Sequence, residues 1–147
     1  VPDKEDLMGD LVIRRMAPAD HEAVRDLIRQ LSSGTIVLDA SEVRTYLAIP
    51  TYHPLVAVLG DQVVGFAELH LLPNLAWRWS GRIENVVVDL KRRGSGIGLA
   101  LCTQLIALGD QLGCTRFELR TENDSARRLY ERLGFRVVAD SLVMVRK

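Results

Sequence analysis

Arg93-Gly94-Ser95-Gly96-Ile97-Gly98 stands directly between the β-branched run Ile83-Glu84-Asn85-Val86-Val87-Val88-Asp89 and an apolar helical pattern that starts at Ile97. Glycines at such a junction let the backbone approach a ligand closely and turn its N–H groups inward. The helix that begins there adds unpaired donors and the positive end of its dipole. Together these features predict a pocket for phosphate or pyrophosphate. The dinucleotide fingerprint G-x-G-x-x-G fails, because its third position falls on Leu99 or on Leu101. The nucleoside-triphosphate loop G-x-x-x-x-G-K-[ST] does not occur. The pattern that fits is R-x-x-G-x-G, through Arg93, Gly96 and Gly98.

Outward from this loop, the spacing predicts a helix over Ile97 to Leu112 with Ile97, Leu101, Leu105, Leu108 and Leu112 on its apolar face, stopped by Gly113. Thr115 to Thr121 follows as a strand. Asn123, Asp124 and Ser125 can each cap the next helix, whose stripe is Ala126, Leu129, Tyr130 and Leu133 before Gly134. Phe135 to Ala139 and Leu142 to Arg146 read as a final pair of strands. Toward the N-terminus, Arg82 to Asp89 is a strand, and Pro54 to Leu59 and Gln62 to Leu72 form a hairpin about Gly60-Asp61. Leu11 to Arg15 is a short strand. Pro18 opens a helix bearing Val24, Leu27, Ile28 and Leu31. Ser32-Ser33-Gly34-Thr35 is a loop, and Asp39 with Glu42 caps a second short helix through about Leu47. The order predicts one α/β (α+β) domain over residues 1–147, with 1–9 a flexible N-terminus. Its centre is a mixed, mostly antiparallel sheet of about seven strands with helices on both faces.

The 147 residues carry a formal net charge of zero and no basic run worth the name, which gives no reason to expect a nucleic-acid partner. No apolar stretch approaches the roughly 20 residues that span a bilayer, so no membrane partner is expected. Cys102 and Cys114 form no C-x-x-C pair and no metal-type spacing with His21, His53 or His70. A reducing, cytoplasmic setting without a bound metal is the expectation.

The chain resembles the GNAT superfamily of acetyl-CoA-dependent N-acetyltransferases. The resemblance rests on Ile83 to Asp89, then Arg93 to Gly98, then Thr121-Glu122-Asn123 and Ala126, then Leu129-Tyr130-Glu131-Arg132-Leu133-Gly134-Phe135, in that order. It implies the acyl-CoA N-acyltransferase fold and acetyl-CoA as cosubstrate. Backbone groups of Val86, Val87 and Val88 would pair with the pantetheine arm, and one of their N–H groups would polarise the thioester carbonyl. Backbone N–H groups from Arg93, Gly94, Ser95, Gly96, Ile97 and Gly98 would hold the pyrophosphate. Asn123 would contact the pantetheine, and Tyr130 would sit near the sulfur and protonate the leaving thiolate.

An alkyl amine has a pKa of about 10 and must lose a proton before it attacks. Glu84 is the first candidate to accept that proton, directly or through water; a solvated strand residue or a binder of a cationic substrate are its other readings. Strict alternation puts Glu84, Val86 and Val88 on one face and Ile83, Asn85, Val87 and Asp89 on the other. Tyr130 lies on an apolar stripe, so plain core is the alternative to its catalytic role. Cys102 reads as a small buried hydrophobe rather than a nucleophile, which favours direct attack by the amine in a ternary complex. His70 and Glu68 share a parity and can line the acceptor pocket, or form a structural hydrogen bond. Trp77 and Trp79, beside Arg78 and Arg82, fit a cleft edge, a homodimer interface or core. Arg127-Arg128 reads as a solvated helix face. The expected function is acetyl transfer to a primary amine, with a small-molecule acceptor favoured. A non-catalytic CoA-binding module, a protein lysine or N-terminal acetyltransferase, and an assembly partner that mainly dimerises stand as alternatives.

Overall fold

A computed structural model describes residues 9–32 and 38–147. The readings of residues 1–8 as a flexible terminus and of 33–35 as a loop lie outside the described residues. Five strands pair in the order β1-β2-β3-β4-β5: β1 Leu11–Arg15, β2 Tyr52–Leu59, β3 Gln62–Asn74, β4 Arg78–Val88 and β5 Cys114–Glu118. The first four are antiparallel, and β5 runs parallel to β4 through the crossover helix. The helices are α1 His21–Leu31, α2 Ala40–Leu47, α3 Ile97–Gln111 and α4 Asp124–Arg132.

The sheet separates two apolar clusters. On one face Ile97, Leu101 and Leu105 of α3 pack on Ala57, Ala67, Leu69 and Ile83. On the other, Val24 and Leu27 of α1 and Val43 of α2 pack on Val56, Phe66 and Val87. The caps follow local chemistry: Asp39 accepts from the Glu42 N–H at 2.8 Å, and Asn123 accepts from Ser125 N–H at 2.8 Å and Ala126 N–H at 3.3 Å. Before α1, Arg14 forms a two-pronged ion pair with Asp20 at 2.7 and 2.9 Å, tying β1 to the turn at Pro18–Asp20.

Several expectations change. The face of α3 ends on Gly109 rather than Leu112, which is 39% exposed. Gly109 receives the Phe117 ring, which a Cβ there would meet at 2.4 Å; a Cβ at Gly81 of β4 would meet the same ring at 2.8 Å. Phe117 is thus clasped between two glycines. Gly109→Val is expected to destabilise the fold by ~1–3 kcal/mol through overpacking, lowering the Tm by roughly 3–10 °C in a thermal melt. An unchanged Tm would show that the ring moves aside freely. β5 stops at Glu118, short of Thr121, and β3 and β4 run on through Pro73-Asn74 and back from Arg78. The Asn74 side chain makes that longer hairpin by accepting from the N–H groups of Ala76 and Trp77 at 2.9 and 3.2 Å. The two final strands do not form. Residues 135–147 run without a ladder, and Leu142, Val143, Met144 and Val145 are exposed. Five strands therefore pair among the described residues where about seven were expected; apolar alternation makes a strand only when an adjacent edge receives it.

Candidate acetyl-transfer site

Two irregularities in the sheet build the site. Phe66 pairs with Val87 and Glu68 with Glu84, so Asn85 and Val86 together oppose Ala67. Asn85 takes φ 51°, the left-handed conformation that a bulge requires and that asparagine tolerates better than most residues. The bulge overturns strict alternation along this strand. Val86 and Val88 pack toward α3, whereas Glu84 stands opposite Glu68, on the α1 and α2 face.

The second irregularity is the end of the β4–β5 pairing at Arg82 and Glu118, where the two side chains form an ion pair at 2.6 Å. Beyond it β4 continues to Val88 with one edge open. Asp89 N–H donates to Val64 on β3 at 2.9 Å. By alternation the N–H groups of Val88 and Val86 then face the open edge, and that of Val87 faces β3.

This open edge leads into the glycine loop. A single 3₁₀ turn, Leu90–Arg92, precedes Arg93, whose Nε donates to the Val88 carbonyl at 3.4 Å. Gly94 and Gly96 adopt φ 76° and 86°, and Gly96 is the N-cap of α3. Both positive values need glycine. The Ser95 hydroxyl donates to the Arg92 carbonyl and holds the turn. Gly98 is helical and serves packing instead: a Cβ there would lie 3.4 Å from Leu129 of α4 and 3.6 Å from Val88. Ile97 is buried beneath the loop. The loop thus places the first donors of α3 next to the open edge of β4, with α4 alongside.

Tyr130 on α4 is 8% exposed and packs edge-on to Phe135 at 6.1 Å. Burial, with the Cys102 thiol nearby, pushes its phenol up to about 12. Its hydroxyl makes no hydrogen bond to the described residues, so its proton is available to a ligand. Asn123 is exposed, and its carbonyl oxygen is committed to capping α4. Cys102 is fully buried, and desolvation pushes its thiol up to about 12, which removes it as a nucleophile at neutral pH.

On the α1 and α2 face, Glu68 is 8% exposed and accepts three hydrogen bonds: Tyr52 Oη at 2.5 Å, Asn85 Nδ2 at 2.8 Å and His70 Nε2 at 3.2 Å. Burial alone would raise its pKa; the bonds from His70, Tyr52 and Asn85 outweigh that and hold it below the ordinary carboxylate range. The bond to Glu68 raises His70 against the opposing effect of its own partial burial, and the Glu84 charge adds to the rise. Desolvation and the Glu68 charge drive the Tyr52 phenol well above its usual value. A cavity of ≈ 360 Å³ opens beside this group, lined by Tyr46, Ile49, Thr51, Tyr52, Glu68, His70, Leu71 and Leu72. Sequence reasoning identifies Glu68 and His70 here but misses Tyr46, Tyr52 and the bond from Asn85. Trp77 lies instead under Arg116, 5.1 Å from its guanidinium, and Arg127 pairs with Glu131 at 2.7 Å on the outer face of α4.

A mixed sheet whose last strand pair parts beside a glycine-rich helix N-terminus is suited to receive a phosphorylated ligand with an extended arm. The model of the GNAT acetyltransferase family matches residues 22–135. The glucosamine 6-phosphate N-acetyltransferase of Trypanosoma brucei brucei is 31% identical over 138 residues, covering 86% of this chain and 90% of that protein. The amino-acid acetyltransferase of Mycobacterium tuberculosis is 32% identical over 129 residues, covering 84% and 67%. The crystal structure of a Trypanosoma brucei acetyltransferase superposes with a TM-score of 0.81 at 25% identity, over 92% of this chain and 99% of that one. The chain belongs to the GNAT family and is an N-acetyltransferase. Its family implies acetyl-CoA as the cosubstrate. No helix among the described residues is long and apolar enough to cross a membrane.

Proposed function

We propose that this chain, as one domain over residues 1–147, transfers the acetyl group of acetyl-CoA to the primary amine of a small molecule by direct attack in a ternary complex. The observation that carries this reading is the open edge of β4 running into the Gly94 and Gly96 turn at the start of α3. The residues present fit CoA: an unpaired strand edge suits an extended arm carrying amides, and the loop and helix start suit a pyrophosphate. Acetyl-CoA supplies the activated thioester. Backbone donors of Val86 and Val88 on the open edge would orient it and face the oxygen on which charge develops, while the backbone from Arg93 to Gly98 would hold the phosphates. Tyr130 would give its proton to the departing sulfur. Glu84 would take the proton from the ammonium of the acceptor, directly or through water. The burial and high pKa of Cys102 support direct transfer over an acyl-enzyme. A small acceptor is supported by the cavity beside Glu68 and by relatives that act on an amino sugar phosphate and on an amino acid.

Glu84→Gln is expected to lower kcat by ~10²-fold near pH 7, measured as release of CoA thiol against pH. The deficit should shrink toward the acceptor's own pKa of about 10, where solvent has already removed the proton. A deficit equal at all pH values would make Glu84 a binding residue, and an unchanged rate would remove it from the reaction.

A further inference from the structure

The cavity beside Glu68 combines aromatic walls with an unusual charge balance. Tyr46 and Tyr52 meet edge to face with ring centroids 6.3 Å apart, and Tyr52 leans on the His70 ring at 5.1 Å. Ile49, Leu71 and Leu72 complete the walls, and Thr51 supplies a hydroxyl. The volume of ≈ 360 Å³ admits a six-membered ring with a short side arm. At the end nearest the bulge stands the Glu68 carboxylate, bonded to Asn85, with Glu84 opposite it across β3 and β4.

The charges point one way. His70 can offset only one carboxylate, and its Nε2 is already on Glu68. Among the described residues, no lysine or arginine lines the cavity. Arg82 stands across the ladder from His70 but is committed to Glu118 at 2.6 and 3.2 Å. Arg15 donates to the Leu47 carbonyl at 2.6 Å, behind α2. The chain between Leu31 and Asp39 reads Ser-Ser-Gly-Thr-Ile-Val-Leu and carries no basic residue. An acceptor that brought a phosphate or carboxylate would place an anion beside Glu68 and near Glu84, where His70, already bonded to Glu68, is the one candidate cation among the described residues lining the cavity.

Resting on the acetyl-transfer reading above, we infer that the acceptor is a cationic amine with an aromatic or alicyclic body and no anionic group. Its ring lies against the wall that Tyr46 and Tyr52 form together, and its ammonium points toward Glu68 and Glu84. Aromatic walls and carboxylates each favour an organic cation, so one pocket selects both the ring and the charge. The selectivity differs from that of relatives named for glucosamine 6-phosphate and for amino acids, both of which carry an anion.

Paired acceptors that differ only in the anion test this: phenethylamine against phenylalanine, and glucosamine against glucosamine 6-phosphate. Two readings are taken with the full chain, CoA-thiol release at saturating acetyl-CoA and an equilibrium titration of each amine in the presence of CoA. Phenethylamine should exceed phenylalanine by ~100-fold in kcat/KM and in affinity, with glucosamine ahead of its phosphate. Leu72→Lys, which adds a cation at the half-buried rim on the side of His70, should narrow both ratios at least tenfold. Equal or better use of the anionic partner overturns the inference and leaves acetyl transfer intact, as does a ratio indifferent to Leu72→Lys. If no amine releases thiol, the acetyl-transfer reading fails. The titration then still decides this inference: tighter phenethylamine supports it, and absent or equal binding overturns it.

Discussion

Replacing Gly96 with valine is expected to abolish measurable CoA binding while the chain stays folded. Gly96 sits at φ 86° as the N-cap of α3. A left-handed conformation costs an ordinary residue roughly 1–2 kcal/mol, and a β-branched one more. The loop is therefore expected to relax to negative φ rather than tolerate the strain. That relaxation turns away the first N–H groups of α3, the donors an anion at a helix start depends on. The core beneath α3 begins at Ile97 and runs through Leu101 and Leu105, away from the substituted atom, so the loss of fold stability should stay near the cost of one strained residue. A titration of CoA should show Kd raised by ~100-fold or more, with a cooperative thermal melt retained. Normal affinity in this variant would place the pyrophosphate elsewhere.

Tyr130→Phe carries the second large effect, in turnover rather than binding. The phenol is 8% exposed, keeps its proton up to about 12 and makes no hydrogen bond to the described residues. Phenylalanine preserves the edge-on contact with Phe135 and removes only the hydroxyl. Because that hydroxyl makes no hydrogen bond to the described residues and is not among the buried unpaired polar atoms, its loss should leave the Tm nearly unchanged. Loss of a general acid is worth ~10²-fold or more in kcat. The expected result is thus a drop in kcat of that size with CoA affinity within about twofold and stability intact. A Tyr130→Phe enzyme with full turnover would return Tyr130 to the core, which is the other role its place on the stripe of α4 allows.

The sequence made the ordered elements legible and left their distortions hidden. Asp39, Asn123 and Gly96 announce helix starts because capping is chemistry of a few adjacent residues, and all three stand at N-caps. Register shifts in the sheet are different, since each is a property of two strands together. From the turn at Gly60-Asp61, simple hairpin counting sets Tyr52 against Leu69, whereas the shift at Ala57/Val58 sets it against His70. One residue of slippage thus turns Tyr52 from the α3 face to Glu68. The bulge at Asn85 likewise parts Glu84 from Val86, residues that alternation places together. Asparagine in a run of valines is the one local signal available, through its tolerance of positive φ. The end of pairing at Glu118 leaves no mark in the sequence, because Leu119 continues the apolar pattern. In the C-terminal segment the opposite happens, and apolar alternation is present without a ladder to use it.

The most direct test of acetyl transfer is the release of CoA thiol from acetyl-CoA with and without an amine, across amino sugars, polyamines, aminoglycosides, amino acids, arylalkyl amines and short peptides. Release should depend on the amine, saturate with it and yield the N-acetylated small molecule in equal amount. Saturable CoA binding with no amine-dependent release anywhere in the panel would contradict it, and would leave a module that binds CoA without turning it over.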